Sequence, residues 1–248
     1  MGAHLTEYYQ RRVLRKLLPS PASRLLQFAT QSRMNADTPH PPESKTEFFD
    51  HLACEGDALR FQPGDEAKLA RLQERLGDLR GLHVLEPGCG AGPLTAWLAR
   101  WVAPGGRVDA FDPSGEMLAR CRQAVAGRKQ VRLTQTHCED AVFPDGAFDR
   151  VVCFRVLPHF DALDPVLARF ARWLRPGGRL HIAHWEGRTQ LAAIHGEFDA
   201  VAADVLPPVE ELAAAFERHG FTVTVWIDDE QEIYYEASPH ISQSQPMR

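Results

Sequence analysis

The stretch Val84-Leu85-Glu86-Pro87-Gly88-Cys89-Gly90-Ala91-Gly92-Pro93-Leu94-Thr95 decides how this chain folds. Two apolar residues close a short β-type run, three glycines follow at alternate positions, and an Ala/Leu/Trp-rich helical pattern begins at once. The stretch therefore reads as strand, tight turn and helix start. Glycine has no Cβ, so the backbone of such a turn approaches a ligand closely, and amide N–H groups collect at the helix N-terminus; both features suit a small charged metabolite. Pro93 fits just inside the helix, where a missing N–H costs nothing. A dinucleotide fingerprint needs its third glycine where Pro93 stands, which counts against a nicotinamide cofactor.

At 248 residues with 44% hydrophobic content, the chain has room for one α/β domain and a small addition. The net charge of −5 argues against a general nucleic-acid binder. Charge is uneven, however: residues 1–36 carry Arg11, Arg12, Arg15, Lys16, Arg24 and Arg33 against Glu7 alone. The five cysteines are scattered singly with no C-x-x-C pair, which points away from a disulfide framework and toward a reducing cytoplasm. No apolar run reaches membrane-spanning length, and no apolar h-region marks a secretory signal.

Outward from the glycine turn, the chain divides into a basic helical leader with a Pro-rich linker (1–43), a helical segment (44–80), a main domain (81–237) and a polar tail (238–248). Leu5 to Leu18 form an amphipathic pattern ended near Pro19, open to reading as a transit peptide, a membrane-surface, partner or self-association helix, a helix packed over the domain's flank, or a non-essential leader before a start at Met34. Lys45–Ala53 predicts a helix with an aromatic pair, Phe48 and Phe49, and a second helix runs from Pro63 to near Leu79. Strands are predicted at Leu82–Glu86, Arg107–Phe111, Val131–Thr136, Phe148–Phe154, Leu180–His184, Phe221–Ile227 and Glu232–Glu236, alternating with helices up to the last pair. Asp112 ends the second strand about 20 residues past the glycines, where a doubly wound fold places a carboxylate for ribose hydroxyls; the bland alternative is a cap for the following helix.

Four features occur in order: the Gly88–Gly92 turn with Glu86 before it, Asp112, the acidic Cys138-Glu139-Asp140-Ala141-Val142-Phe143-Pro144 turn followed by Phe148-Asp149, and Leu174-Arg175-Pro176-Gly177-Gly178. Together they resemble the class I S-adenosylmethionine-dependent methyltransferases of small-molecule type, over about residues 82–236. The resemblance implies a Rossmann-like three-layer sandwich, α/β, with a seven-stranded, mostly parallel sheet whose last strand is antiparallel. It implies S-adenosylmethionine as cofactor and a small-molecule methyl acceptor. Glu86 is then expected to receive the methionine ammonium. The backbone of Gly88, Cys89, Gly90 and Gly92 is expected to lie along the amino-acid moiety. Asp112 is expected to hold the ribose and Met117 to pack against adenine, with Pro113 and Phe154 as further cofactor contacts. Either Glu139 or Asp140 reads the adenine amino group. The segment 44–80 is expected to act as a lid.

His159, His184 and His195 are the candidates for contact with the acceptor or proton removal, since imidazole titrates near neutral pH; each is also a plausible hydrogen-bonded core or surface group. The segments Trp185–Arg188 and Ile194–Gly196 fall where this fold carries its acceptor pocket, and Arg155 or Arg188 is a candidate for an anionic acceptor. None of the histidines has H-E-x-x-H or another ligand spacing, so no metal site is expected. Two other functions stay open on the sequence. One is methylation of protein or RNA docked through the basic leader, and the other is a cofactor-binding protein without catalysis.

Overall fold

The computed structural model describes residues 44–54 and 60–240. The expected leader helix, the Pro-rich linker, self-association through N-terminal helices and most of the expected tail lie outside the described residues.

Two helices come first, α1 (Lys45–Ala53) and α2 (Glu66–Leu76). Ser44 caps α1 in a reciprocal box: its hydroxyl accepts from the Glu47 N–H while the Glu47 carboxylate accepts from the Ser44 N–H. Gly77, at φ 70°, ends α2 earlier than expected. Then follow β1 (His83–Pro87), α3 (Pro93–Trp101), β2 (Arg107–Asp112), α4 (Gly115–Ala124), β3 (Val131–Gln135) and β4 (Phe148–Phe154). The second half comprises α5 (Leu163–Trp173), β5 (Leu174–His184), α6 (Arg188–His195), α7 (Val209–Arg218), β6 (Phe221–Asp228) and β7 (Ile233–Pro239).

The seven strands form one sheet in the order β3-β2-β1-β4-β5-β7-β6. Pairings from β3 to β5 are parallel, and β7 runs antiparallel between β5 and β6. Side chains alternate across a strand, and here the alternation builds the layers. Leu85 and Val151 face the layer of α5 and α7, against Val166, Phe170 and Phe216. Their neighbours Val84 and Val152 face the layer of α2, α3 and α4, against Leu72, Leu98 and Leu118. β1 and β4 are covered on both sides, which is why they read as nearly continuous apolar runs. The strand order reverses between β1 and β4, so the crevice beyond their C-terminal ends is where such a sheet receives a ligand.

Three more elements depart from expectation. β5 begins at Leu174, and the Arg175–Gly178 turn is an irregularity within it, where the register against β4 slips between Phe148 and Arg150. Residues 188–195, expected only as pocket-forming chain, make a short helix. β7 also continues to Pro239, just past the expected start of the tail.

Candidate active site

Above the C-terminal ends of β1, β2 and β4, and under α1, lies a cavity of about 240 Å³. Eleven of the sequence-derived candidates line it: Glu86, Gly88, Cys89, Gly90, Asp112, Pro113, Met117, Glu139, Phe154, Arg155 and His159.

The three glycines do different work. All have positive φ, 61° at Gly88, 53° at Gly90 and 81° at Gly92. A Cβ on Gly88 would overlap Val156, and one on Gly92 would sit 2.5 Å from the Cys121 Sγ, so both permit close packing within the protein. A Cβ on Gly90 would meet only the Met117 Sδ, at 3.9 Å, and would project into the open cavity. Gly90 is thus the position at which the backbone is bared toward a ligand. Gly92 does not line the cavity, which corrects its expected cofactor contact: it is the left-handed cap before Pro93.

The amides of this turn are largely used inside the protein. Cys89 N–H donates to the Phe111 carbonyl (3.0 Å), Gly92 N–H to the Cys89 carbonyl (3.0 Å), and Gly90 N–H to Asp112 Oδ2 (2.8 Å). Asp112 Oδ1 accepts from the Ser114 N–H at 2.9 Å. Asp112 therefore does not cap α4; Ser114 does, accepting from the Met117 N–H. The Asp112 carboxylate ties the glycine turn to the start of α4. Burial raises its pKa, opposed by these two amide bonds.

Two acidic side chains in the wall have unmet hydrogen-bonding capacity. Glu86 Oε2 and Glu139 Oε1 are buried without partners among the described residues. Burial raises the Glu86 pKa well above the usual carboxylate range, against a hydrogen bond from Thr95. Such a carboxyl is suited to a cationic partner, and an amino group suits Glu139; the donor set fits the ammonium and adenine amino groups of S-adenosylmethionine. Asp140 is exposed and outside the cavity, so of the two adjacent acids only Glu139 faces it.

The three histidines separate. His159, on the one-turn 3-10 segment Leu157–His159, lines the cavity and donates from Nδ1 to Asp204 Oδ2 at 2.8 Å. His195 lies behind it, ring centroids 4.8 Å apart, with Nδ1 bonded to the Asp204 carbonyl. His184 is fully buried in β5, both ring nitrogens without partners among the described residues, and burial drives its pKa well below the ordinary value. Neither His184 nor His195 lines the cavity, so of these three only His159 does.

The expected acceptor segments form a supporting layer instead. Trp185 packs behind Phe61 (4.9 Å) and Phe154 (5.0 Å), and Glu186 pairs with Arg155. Arg188 is held by Asp228 at 2.8 Å and by the Pro207 carbonyl, away from the cavity. Arg155 does line the cavity, and at φ 57° it is the sole non-glycine residue with positive φ among those described. Residues held in that conformation gather at functional sites.

Sequence reasoning missed how α1 is held. Lys45 pairs with Asp161 and with Asp204, each at 2.9 Å, and the Asp50 carboxylate accepts from Ser114 Oγ and the Glu116 N–H. Phe49 stands edge-on to His159 at 5.1 Å. No sequence pattern links these residues, which lie 64 to 159 positions apart. Among the described residues no group of His, Cys, Asp and Glu is arranged to hold a metal, and no helix is long and apolar enough to cross a membrane.

The fold and its switch-point cavity are those of solved S-adenosylmethionine-dependent methyltransferases, and the acid set fits that cofactor. In agreement, residues 85–182 match the methyltransferase domain family Methyltransf_11. Among curated proteins, the chain is 33% identical over 144 residues to the methyltransferase GfsG of Streptomyces halstedii, covering 57% of this chain and 49% of that protein. It is 32% identical over 139 residues to the ubiquinone/menaquinone biosynthesis C-methyltransferase UbiE of Serratia proteamaculans, covering 55% of each. The chain thus spans about half the length of these curated relatives. Among solved structures, a SAM dependent methyltransferase from Aquifex aeolicus superposes with a TM-score of 0.56 at 21% identity, over 72% of this chain and 98% of that one, which supports the fold.

Proposed function

We propose that this protein transfers the methyl group of S-adenosylmethionine to a small-molecule acceptor bound in the cavity under α1. The observation that carries the proposal is the wall itself: two buried, unpartnered carboxyl oxygens, a backbone bared at Gly90 and the Asp112 carboxylate, all around one cavity. When bound, the cofactor supplies an electrophilic methyl group on a sulfonium and a neutral leaving group. The protein's task is to align donor and acceptor and exclude water.

Glu86 holds the methionine ammonium, and the Gly88–Gly90 backbone shapes the wall along the amino-acid moiety. Asp112, already fixed by two backbone amides, offers its remaining lone pairs to the ribose hydroxyls. Met117 packs against adenine, and Glu139 accepts from its amino group. α1 together with Phe61 acts as the lid: Lys45, Thr46, Phe49, Leu52 and Phe61 all line the cavity from above. Acceptors enter against Phe49, Phe61, Phe154 and His159. We place the enzyme in the cytoplasm, where its five free cysteines remain thiols.

Isothermal titration with S-adenosylmethionine, followed by detection of S-adenosylhomocysteine in the presence of acceptors, tests this reading. One site with micromolar affinity and acceptor-dependent product are expected. Binding without turnover for any acceptor would support a cofactor-binding protein instead.

A further inference from the structure

We propose that Asp204 positions His159 as the general base for an aromatic hydroxyl acceptor, methylated on oxygen; the proposal rests on the methyl-transfer reading above. His159 lines the cavity beside Phe160 and Phe49, and its Nδ1 is engaged by Asp204 Oδ2 at 2.8 Å. A neutral imidazole that donates from Nδ1 carries its free lone pair on Nε2, so the carboxylate selects the tautomer able to accept a proton. Base and orienting acid, joined by one hydrogen bond at the edge of a cavity, form the arrangement by which a weak nucleophile is activated.

Asp204 is itself well fixed. It is only 6% exposed, its Oδ1 pairs with Lys45 of α1, and its carbonyl accepts from His195. Burial would raise its pKa, but the His159 and Lys45 bonds outweigh burial and hold it below the usual carboxylate value. It therefore stays anionic through the neutral range. The other ionisable groups that act on His159 are Lys45, whose Nζ donates to the His159 carbonyl, and His195 at ring contact, with Asp161 at the far side of Lys45 and Asp112 and His184 at longer range. One carboxylate thus joins the base to the helix that covers the cavity.

The aromatic faces of Phe49, Phe61, Phe154 and Phe160 favour a flat ring. A ring hydroxyl titrates near pH 10, like that of tyrosine, so at neutral pH it is protonated and weakly nucleophilic. In the step proposed, His159 Nε2 takes the hydroxyl proton while the oxygen forms its bond to the methyl carbon. The carbon–sulfur bond breaks with its electron pair staying on sulfur, leaving a neutral thioether, an aryl methyl ether and an imidazolium paired to Asp204. Water then removes the imidazolium proton.

The test measures kcat and KM for the full chain with S-adenosylmethionine and two probes, catechol and the more acidic 4-nitrocatechol, between about pH 5.5 and 9. The O-methyl ethers are identified by mass spectrometry and NMR. Wild type is expected to methylate both, with kcat rising through an acid limb. Asp204→Asn is expected to lower kcat on catechol by about 10- to 100-fold with KM nearly unchanged. It should also move the acid limb to lower pH, because loss of the anionic partner favours neutral imidazole. Asp204→Glu should recover much of the rate. His159→Gln should abolish the limb and lose more on catechol than on 4-nitrocatechol, whose hydroxyl needs less help. An unshifted limb in a folded Asp204→Asn variant, equal losses on both probes, carbon-methylated product, or no turnover of either probe by a chain that binds S-adenosylmethionine would each overturn the proposal. Absence of S-adenosylmethionine binding would instead remove the methyl-transfer reading itself.

Discussion

Replacing Asp112 by Asn separates the two duties this side chain is given. The carboxylate accepts from the Gly90 N–H at 2.8 Å and the Ser114 N–H at 2.9 Å, one oxygen to each. Asn keeps a single acceptor oxygen and turns an NH2 toward the other amide, so one of the two bonds is lost and a donor faces a donor. A hydrogen bond to a charged group contributes about 1.5–3 kcal/mol. Burial already opposes the charge on Asp112, which places the loss near the lower end, at about 1.5–2 kcal/mol. For a chain of this size that corresponds to a fall in Tm of about 3–8 °C. Cofactor affinity should fall further, because a loosened glycine turn and a neutral amide both face the ribose; about 10- to 100-fold is expected. Thermal unfolding followed by circular dichroism, with calorimetric titration of S-adenosylmethionine on the same samples, measures both quantities. A variant with wild-type Tm and wild-type affinity would refute the dual role, and loss of stability alone would leave Asp112 a purely structural tie.

Glu86→Gln should raise Tm at neutral and alkaline pH while weakening S-adenosylmethionine binding by about tenfold or more. A buried acid whose folded pKa is raised contributes stability below its unfolded pKa and loses it as pH rises through the folded value, and Gln removes that loss. Equal stability curves for the two proteins would contradict the burial argument. Gly90→Val should abolish cofactor binding at a stability cost of about 1–2 kcal/mol, from its left-handed φ, whereas Gly88→Ala should mainly destabilise by overlapping Val156. The opposite pattern in calorimetry and thermal unfolding would reverse the assignment of these two glycines. His181, bonded to the Tyr234 hydroxyl, has its pKa pushed down to about 3 by burial. Its contribution is whole above its unfolded pKa of 6.5 and is lost as pH falls toward 3, at up to about 1.4 kcal/mol per pH unit, so His181→Gln should flatten the acid side of the urea-stability curve.

What could be read from sequence was local or periodic. The alternation of Val84 with Leu85 and of Val151 with Val152 already encodes two helical layers, and the spacing from Gly90 to Asp112 is fixed by one helix and one strand. Where sequence reasoning stopped, the deciding contacts were long-range. Nothing local marks Gly92 as the residue that accommodates Cys121, or Asp204 as the partner of His159, 45 positions earlier. The choice between Glu139 and Asp140 depended on which way one turn faces, and His184 looked like a site residue because its place at a strand end does not reveal that its side chain is buried away from the cavity. Nor does any local pattern around Lys45 and Asp50 mark them as the residues that dock α1 on α4 and on the segment after β4.

On the proposed reading, the cavity under α1 binds S-adenosylmethionine through Glu86, Gly90, Asp112 and Glu139. Isothermal titration of wild type and Glu139→Ala with S-adenosylhomocysteine, joined to a crystal structure of that complex, tests it most directly. One site is expected, with the ligand's ammonium at Glu86 and its adenine amino group at Glu139, and clearly weaker binding by the variant. No binding, or a ligand seated away from these residues, would contradict the assignment of this cavity as the cofactor site.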